Sequence, residues 1–316
     1  MEFLGPKFYS ANDVNRCLSN ESERLIEVIE ESFVTFSTKQ AGFIQPQRMA
    51  VNITEYNSLM MKPCISLSNQ IASFKILTIN QLNEINFGLP VIQGVIVVFD
   101  TISGSVNAIV DAISVTDRRT AAASAVAIKH LCKESDTILA IIGTGHQGAS
   151  HVQLLSAYKK FSEIRVFSRT KENCHAFAKK YNCIPCDSVK NAVKDADIIV
   201  TATTSISPVL FKKWIKHGCL IIAVGAPLCN QRELDDEIML TSQIFTDTEE
   251  GAYASAGDVI LSNAKIHGEL GNVINKTINI DWNTTRVFKS NGMAVQDLVT
   301  VKLILDKDKE KKDLFS

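Results

Sequence analysis

The chain shows two different patterns of apolar and polar residues, one before residue 137 and one after it. From residue 137 onward, short apolar runs alternate with helix-like segments, and a buried strand is predicted within each run. These strands lie near residues 137–143, 163–168, 182–186, 197–203, 220–226 and 243–247. Six strands joined by crossover helices predict an α/β fold with a doubly wound parallel sheet.

The preceding part of the chain follows a different pattern. Residues 8–40 carry apolar positions at helical spacing, and several strand-like segments separated by turn residues come next. These segments are 45–53, 58–61, 71–78, 94–100 and 105–111, with a hairpin turn at 101–104. The pattern predicts a second, α+β domain built on an antiparallel sheet or half-barrel.

A helix rich in small residues is predicted from Asp117, so its first turn would carry Arg118 and Arg119. Cations are unusual there, because the helix dipole favours anions at that end. We therefore expect an anion site built from the arginines and free backbone N–H groups; two solvated surface arginines are the alternative.

After Val273 the chain leaves the alternating pattern. A strand, a turn at Gly292 and a final helix over 294–305 are predicted. The lysine-rich run 307–312 that follows is expected to be a solvated, frayed tail.

The first apolar run ends in the glycine pattern Gly143, Gly145 and Gly148, and a helix is predicted to begin at His146 and Gln147. This arrangement is typical of a Rossmann dinucleotide-binding unit, in which pyrophosphate lies at the helix N-terminus. An ordinary glycine turn of an α/β domain is the alternative. Further candidates at the ends of later strands are Thr203, Thr204 and Val224.

The second strand of such a unit usually ends in an acidic residue that binds the ribose of NAD. Here it ends in Ser168, Arg169 and Thr170, with no carboxylate. A guanidinium between two hydroxyls suits a 2′-phosphate, so we predict NADPH rather than NADH. Ser168 and Thr170 could also cap the next helix, and the two roles are compatible.

Length, charge and cysteine content limit the classes of partner, location and metal site that we expect. The 316 residues suggest two domains, and a net charge of −1 argues against nucleic-acid or membrane partners. The N-terminus lacks the features of a signal peptide. Eight cysteines without metal-ligand spacing predict reduced thiols, a cytoplasmic location and no metal site.

Taken together, these segments resemble the ornithine cyclodeaminase and μ-crystallin family. The matching segments occur in the same order along nearly the whole chain: 45–48, 119–122, 143–147, 168–173, 223–226, 232–237, 255–259, 269–271 and 288–295.

The resemblance implies a substrate-binding and dimerisation domain of residues 1–118 plus 287–316, and an NADPH-binding domain of residues 119–286. It implies an NADPH-dependent reduction of cyclic ketimines, with a homodimer as the assembly and thyroid hormone as a further ligand. Lys75 and Arg119 would be catalytic. The substrate would be bound by Arg48, Lys75, Arg119, Pro227 and Asn291. The cofactor would be bound by Arg119, Thr120, Gly143, Gly145, His146, Gln147, Ser168, Arg169, Thr170, Thr203, Thr204 and Val224.

Some positions depart from the family pattern. Cyclodeaminases have an essential aspartate after the fifth strand, whereas this chain has Ala226, Pro227 and Leu228, which argues against ammonia elimination from ornithine. Lys62 stands in the family's Gly-x-Met-Pro segment; Ile92 and Asn291 also differ from the usual residues. Two alternatives to a reductase stay open: an NADPH-regulated hormone-binding protein and an amino-acid dehydrogenase or opine-type synthase.

Overall fold

The computed structural model describes residues 5–39 and 42–313. The chain divides into two compact units. Unit 1 comprises Met1–Arg119 and Met293–Ser316, and unit 2 comprises Thr120–Gly292. The boundaries predicted after residues 118 and 286 thus lie after residues 119 and 292, and Arg119 belongs to unit 1.

The elements of unit 1 up to the boundary are β1 (Lys7–Tyr9), α1 (Ala11–Leu18), α2 (Ser22–Ser37), β2 (Phe43–Ile44), β3 (Met49–Asn52), β4 (Asn57–Ser66), β5 (Ile71–Asn80), α3 (Asn83–Phe87), β6 (Ile92–Asp100), β7 (Val106–Asp111) and the start of α4 (Ala112–Leu131). Those of unit 2 after α4 are β8 (Ile138–Ile142), α5 (His146–Tyr158), β9 (Glu163–Phe167), α6 (Lys171–Tyr181), β10 (Ile184–Pro185), α7 (Val189–Val193), β11 (Ile198–Thr201), β12 (Leu220–Ala223), α8 (Asp236–Thr241), β13 (Gln243–Thr246), α9 (Glu249–Ser255), α10 (Gly257–Ser262), β14 (Gly268–Glu269), α11 (Leu270–Ile274) and β15 (Arg286–Lys289). The chain then returns to unit 1 as α12 (Ala294–Asp313).

Unit 1 is built on a sheet of order β1-β7-β6-β5-β4-β2, with β3 also paired to β4. All pairs are antiparallel except β1 with β7. Along β4 and β5, buried side chains alternate with half-buried ones, and α12 packs on these two strands. One face of the sheet therefore forms the core of unit 1 together with α12 and α2.

Two predictions for the helices of this unit were wrong. The segment 8–40 contains the end of β1 and two helices, α1 and α2, and residue 40 lies outside the described residues. Helix α4 begins at Ala112, five residues earlier than predicted, because the Asp111 carboxylate accepts a 2.7 Å hydrogen bond from the Ser114 N–H and caps the helix there. Arg119 is thus the eighth residue of α4, and the predicted anion site at a helix start does not exist.

Helix α12 continues to Asp313 instead of ending at residue 305, so the run predicted to be frayed is helical. Side-chain pairs one turn apart stabilise it: Lys302 Nζ lies 2.6 Å from Asp306, and Lys307 Nζ lies 3.0 Å from Glu310. Lys307 also pairs with Glu21 at 3.2 Å.

Unit 2 contains a parallel sheet of order β10-β9-β8-β11-β12-β15-β13-β14, which confirms the predicted doubly wound α/β fold. Strand β15 lies between β12 and β13, although its segment was predicted to lie outside the repeat. The strand begins with Arg286 and ends with Lys289, and these two charged residues made its segment resemble a surface segment. Both are fully buried, and Arg286 donates hydrogen bonds to the carbonyls of Trp282 and Gly218.

Within the described residues, no helix combines the length and apolar character needed to cross a membrane. The same part of the chain contains no group of three or more His, Cys, Asp or Glu side chains placed to hold a metal ion. All eight cysteines are free thiols.

Candidate functional site

The glycine turn of unit 2 connects β8 to α5 and is fixed by close contacts. Gly143 has φ +119°, and a Cβ there would lie 2.4 Å from the Ala202 carbonyl oxygen. A Cβ on Gly148 would lie 2.1 Å from the Gly143 carbonyl oxygen. These positions therefore require glycine: one for the turn, the other for packing the helix against it.

The N-terminus of α5 offers room for an anion. A Cβ on Gly145 would meet nothing within 4 Å, and this N-cap glycine has no side chain with which to cap the helix. His146 is exposed and Gln147 half-buried in the first turn. Open space above an uncapped 13-residue helix fits the pyrophosphate of a dinucleotide, which the first backbone N–H groups would hold.

The tip of β9 carries the residues predicted to select the cofactor. Thr144 Oγ1 donates a 3.0 Å hydrogen bond to Ser168 Oγ, which links this tip to the glycine turn. Arg169 is exposed. Thr170 occupies the N-cap position of α6 but makes no side-chain cap hydrogen bond, so its hydroxyl is not used for capping. The tip thus fits a 2′-phosphate by its chemistry, with Arg169 as the charged donor.

The loop after β11 is held by a buried carboxylate. Glu233 Oε1 accepts hydrogen bonds from the Thr203 N–H at 2.6 Å and the Thr203 hydroxyl at 2.7 Å, and its Oε2 accepts one from Thr201 at 2.7 Å. Burial raises the pKa of Glu233, and the Lys289 charge partly offsets this. The Thr203 hydroxyl therefore already donates its hydrogen bond to Glu233, whereas Thr204 is exposed.

The loop after β12 is held by Lys289 and Asp258, and Asp258 also accepts a hydrogen bond from the Glu233 N–H. Lys289 Nζ donates to the Gly225 carbonyl oxygen and lies 3.1 Å from Asp258 Oδ2, and both charged side chains are fully buried. Ala226 adopts a left-handed backbone with φ 52°. Val224 is half-buried and Pro227 exposed at this loop. Glu233, Asp258 and Lys289 were not predicted as functional residues, although each lies in a segment that carries the family resemblance.

Two further predicted residues lie in unit 2. Thr120 is buried within α4, away from its N-terminus. Asn291 Nδ2 donates to the Gly251 carbonyl oxygen at 2.8 Å and to Ser255 Oγ at 2.9 Å, and its backbone N–H donates to Asp247. These bonds give Asn291 a role in bracing the turn before α12; its contact with substrate stays a prediction.

In unit 1, charged side chains gather on the buried face of the sheet. Lys62 on β4 and Lys75 on β5 lie directly opposite each other in the strand register and are 7% and 1% exposed. Lys75 Nζ lies 2.6 Å from Asp297 Oδ2, and Arg119 Nε lies 3.2 Å from Asp297 Oδ1. Arg48, just before β3, is close enough to lower the pKa of both lysines. We call these four cations around Asp297 the cationic cluster.

The cluster is unbalanced electrostatically, with four formal positive charges around one negative charge. Burial, opposed by Asp297 and reinforced by Arg119, lowers the pKa of Lys75 to about 8. Burial and then Lys75 lower the pKa of Lys62 well below its usual value. Burial alone would raise the pKa of Asp297, but the charges of Lys75 and Arg119 outweigh it and lower that pKa. A buried excess of positive charge favours an anionic ligand.

Uncharged groups complete the cluster. Gln296 Oε1 accepts a 3.0 Å hydrogen bond from Arg119, which fixes the orientation of the amide. Its Nε2 is buried and has no hydrogen-bond partner within the described part of the chain. Gln45 Oε1 accepts from the Val295 N–H at 2.8 Å and ties the segment bearing Arg48 to the start of α12. A carboxylate ligand would satisfy the Gln296 donor as well as the cations.

The structure thus brings together the three cations predicted to hold a substrate carboxylate, Arg48, Lys75 and Arg119, and adds Lys62. Sequence reasoning missed Gln45, Gln296 and Asp297. The available signal was the pair Gln296 and Asp297 in the first turn of a helix whose next eight residues are mostly apolar.

Comparisons with known proteins agree with this organisation. A sequence model of the ornithine cyclodeaminase/mu-crystallin family matches residues 6–312. Ketimine reductase mu-crystallin of Macropus fuliginosus is 37% identical over 305 residues, which cover 95% of this chain and 97% of that protein. A Delta(1)-pyrroline-2-carboxylate reductase of Bacillus cereus is 28% identical over 319 residues, covering 96% of each chain. The solved Delta(1)-pyrroline-2-carboxylate reductase of Thermococcus litoralis, in complex with NADH and L-proline, has a TM-score of 0.89 at 25% identity and covers 97% of this chain and 98% of its own.

Proposed function

The chain belongs to the ornithine cyclodeaminase/mu-crystallin family, and from that premise we propose that it is an NADPH-dependent reductase of cyclic ketimines. The substrates are small cyclic imines with a carboxylate on the imine carbon, of the pyrroline-2-carboxylate or piperideine-2-carboxylate type. The products are the corresponding cyclic imino acids. Relatives named for these reactions support the proposal.

The observation that carries the proposal is the cationic cluster. Asp297 holds Arg119 and Lys75, and the cluster places four basic side chains around that one carboxylate. A bidentate guanidinium and an ammonium can together fix the orientation of a carboxylate. Since the carboxylate is bonded to the imine carbon, holding it also positions the reacting carbon.

Reduction of the imine requires few further groups from the protein. A reduced nicotinamide supplies hydride when it is bound. Arg48 and Arg119 bind the substrate carboxylate, and Lys75 adds a point charge while Asp297 keeps it in place. The Gln296 amide nitrogen supplies a further hydrogen bond. Protonation of the imine nitrogen makes the carbon electrophilic, so positioning and one proton are what these residues must provide.

Ammonia elimination from ornithine is not part of the proposal. The loop after β12 holds Ala226, Pro227 and Leu228, none of which can act as a general base. Thyroid-hormone binding stays a prediction from the family resemblance.

The proposal is tested by adding NADPH and a panel of cyclic ketimines to the purified protein and following nicotinamide absorbance. Pyrroline-2-carboxylate should be reduced, while 1-pyrroline, which lacks the carboxylate, should react far more slowly. Absence of NADPH oxidation with every carboxylated imine would refute the proposal. Oxidation of acyclic amino acids by NAD⁺ or NADP⁺ would favour the dehydrogenase alternative.

We propose NADPH as the physiological cofactor because of Arg169. Replacing Arg169 with alanine should weaken NADPH binding by roughly 1.5–3 kcal/mol, since a charged hydrogen-bonding partner of the 2′-phosphate is lost. NADH lacks that phosphate, so its affinity should change little. The two dissociation constants can be measured by fluorescence titration of the reduced cofactors, and equal losses for both would contradict the phosphate role.

We also propose a homodimer formed through the outer face of the sheet in unit 1. Antiparallel sheets commonly present polar side chains on the side away from the core, but here that side is apolar. One row across neighbouring strands consists of Pro63, Phe74, Val97, Ile109 and the 70% exposed Phe8. Such a continuous apolar face suits an identical face of a second copy.

Replacing Phe74 with lysine should therefore weaken the dimer about 30-fold or more, because a charge would be buried at its centre. Ile206→Lys is the matched control, since it adds the same charge at a 74% exposed position of unit 2. Light scattering across a dilution series measures both variants. A Phe74→Lys protein that remains dimeric at the same concentrations as wild type would contradict this interface.

A further inference from the structure

Lys62 occupies a buried position of the sheet where a positive charge is costly. It lies on β4 directly opposite Lys75 on β5, and both side chains belong to the buried face of the sheet. Like charges directly opposite each other on neighbouring strands destabilise a sheet. A methylene chain without a charge would fill the same space at lower cost, so the amine calls for a functional explanation.

Four charged groups from different segments of unit 1 act on Lys62. Lys75 lies on β5, Arg48 precedes β3, Arg119 lies on α4 and Asp297 lies on α12. Burial and the three cations hold the pKa of Lys62 well below its usual value, and Asp297 opposes them. An incoming carboxylate would add a second negative charge and favour protonation of the Lys62 amine.

We propose that Lys62 is the general acid that protonates the imine nitrogen during reduction, an inference that rests on the proposed function. The hydride electron pair from a reduced nicotinamide forms the new C–H bond at the imine carbon. The C=N π pair moves to the nitrogen and forms an N–H bond with a proton from Lys62 Nζ. Lys62 is left as a neutral amine and regains a proton from solvent before the next turnover.

The other groups of the cluster are poorer donors. The Arg48 and Arg119 guanidinium groups do not release protons at physiological pH. Asp297 has a lowered pKa and accepts hydrogen bonds only. Cys64 lies two residues from Lys62 on the buried face of β4, and burial raises the pKa of its thiol to about 12, which makes it a weak acid.

Lys75, which the family resemblance predicts to be catalytic, is bound to other partners. Its Nζ lies 2.6 Å from Asp297 and donates a 3.2 Å hydrogen bond to Thr116 Oγ1. Release of its proton would leave the buried Asp297 carboxylate with one cation fewer. The geometry therefore favours Lys62 as the acid and Lys75 as a binding and orienting group.

The first test is Lys62→Met in the full chain. Loss of a general acid should lower kcat for pyrroline-2-carboxylate about 100-fold or more, with a much smaller change in KM. The alkaline fall of kcat that reflects Lys62 should disappear, and methylammonium should partly rescue Lys62→Ala. The melting temperature should rise or stay unchanged, since a buried repelling charge is removed. Lys309→Met, at an exposed position of α12, is the control for lost charge.

The second test does not depend on turnover. Calorimetry of pyrrole-2-carboxylate binding in buffers of different ionisation enthalpy reports protons taken up with the anion. Wild type should take up more protons than Lys62→Met, which retains only the contribution of Lys75. Equal uptake, or a Lys62→Met variant with raised KM and unchanged kcat, would overturn the proposal. If wild type reduces no cyclic imine, the proposed function fails, whereas normal reduction by Lys62→Met refutes the role of Lys62 alone.

Discussion

Replacement of Arg119 with alanine is expected to lower kcat/KM for a carboxylated cyclic imine by about 100-fold or more. Two side chains hold the Arg119 guanidinium in place. Its Nε lies 3.2 Å from Asp297 Oδ1, and its Nη1 donates a 3.0 Å hydrogen bond to Gln296 Oε1. Its loss removes charged hydrogen bonds to the substrate and the orientation they impose. Steady-state kinetics with pyrroline-2-carboxylate measures the effect.

The variant should still fold, because Asp297 keeps its 2.6 Å contact with Lys75 and the remaining cluster is less repulsive. Arg118→Ala is the matched control: it removes the neighbouring cation of α4, whose contacts with Asn15 lie outside the cationic cluster. Its kcat/KM should be close to that of wild type. A folded Arg119→Ala protein with normal kcat/KM would exclude Arg119 from the substrate clamp.

Replacement of Asp297 with alanine is expected to cause the largest loss of stability, about 3–5 kcal/mol of unfolding free energy. Asp297 is 1% exposed and lies between Lys75 and Arg119, so its removal leaves buried cations without their counter-charge. Urea denaturation measures the loss. Asp306→Ala, which breaks a half-buried pair with Lys302 in the same helix, should cost no more than about 1 kcal/mol. Equal losses for the two variants would contradict the central role of Asp297.

The contribution of Asp297 also has a defined pH dependence. Its folded pKa is lowered, so its stabilisation is fully present above the unfolded value, roughly pH 4, and is lost as pH falls through the folded value. The difference in unfolding free energy between wild type and Asp297→Asn should therefore be constant near neutral pH. It should shrink under strongly acidic conditions. A difference that grows on acidification would show that the paired carboxylate is not its source.

The fold of unit 2 could be predicted well because local pattern and topology agree there. Apolar runs of strand length, crossover helices and a glycine turn all indicate one architecture. Strand β15 was placed outside the sheet because Arg286 and Lys289 give it the look of a surface segment. Their burial depends on partners distant in sequence, such as Gly218 and Asp258, which no local pattern reveals.

The candidate site was harder to predict for the same physical reason. Arg48, Lys75 and Arg119 could be proposed individually, but their proximity depends on strand register and on the packing of α12. Lys62 illustrates this: in the sequence it is only a departure from the family pattern, and the pairing of β4 with β5 places it opposite Lys75. The start of α4 shows the converse error, in which a missed cap at Asp111 led to the wrong prediction that Arg118 and Arg119 lie in the first turn of the helix.

The central claim is that the protein reduces a cyclic ketimine with NADPH, and the most direct test follows the hydrogen transferred from the cofactor to the product. Purified protein is incubated with pyrroline-2-carboxylate and NADPH in which both hydrogens at C4 of the nicotinamide are replaced by deuterium, and the product is analysed by mass spectrometry and NMR. Our account predicts proline with one deuterium at the α-carbon, formed at a rate that Arg119→Ala reduces. Proline without deuterium at that carbon, or no proline at all, would contradict it.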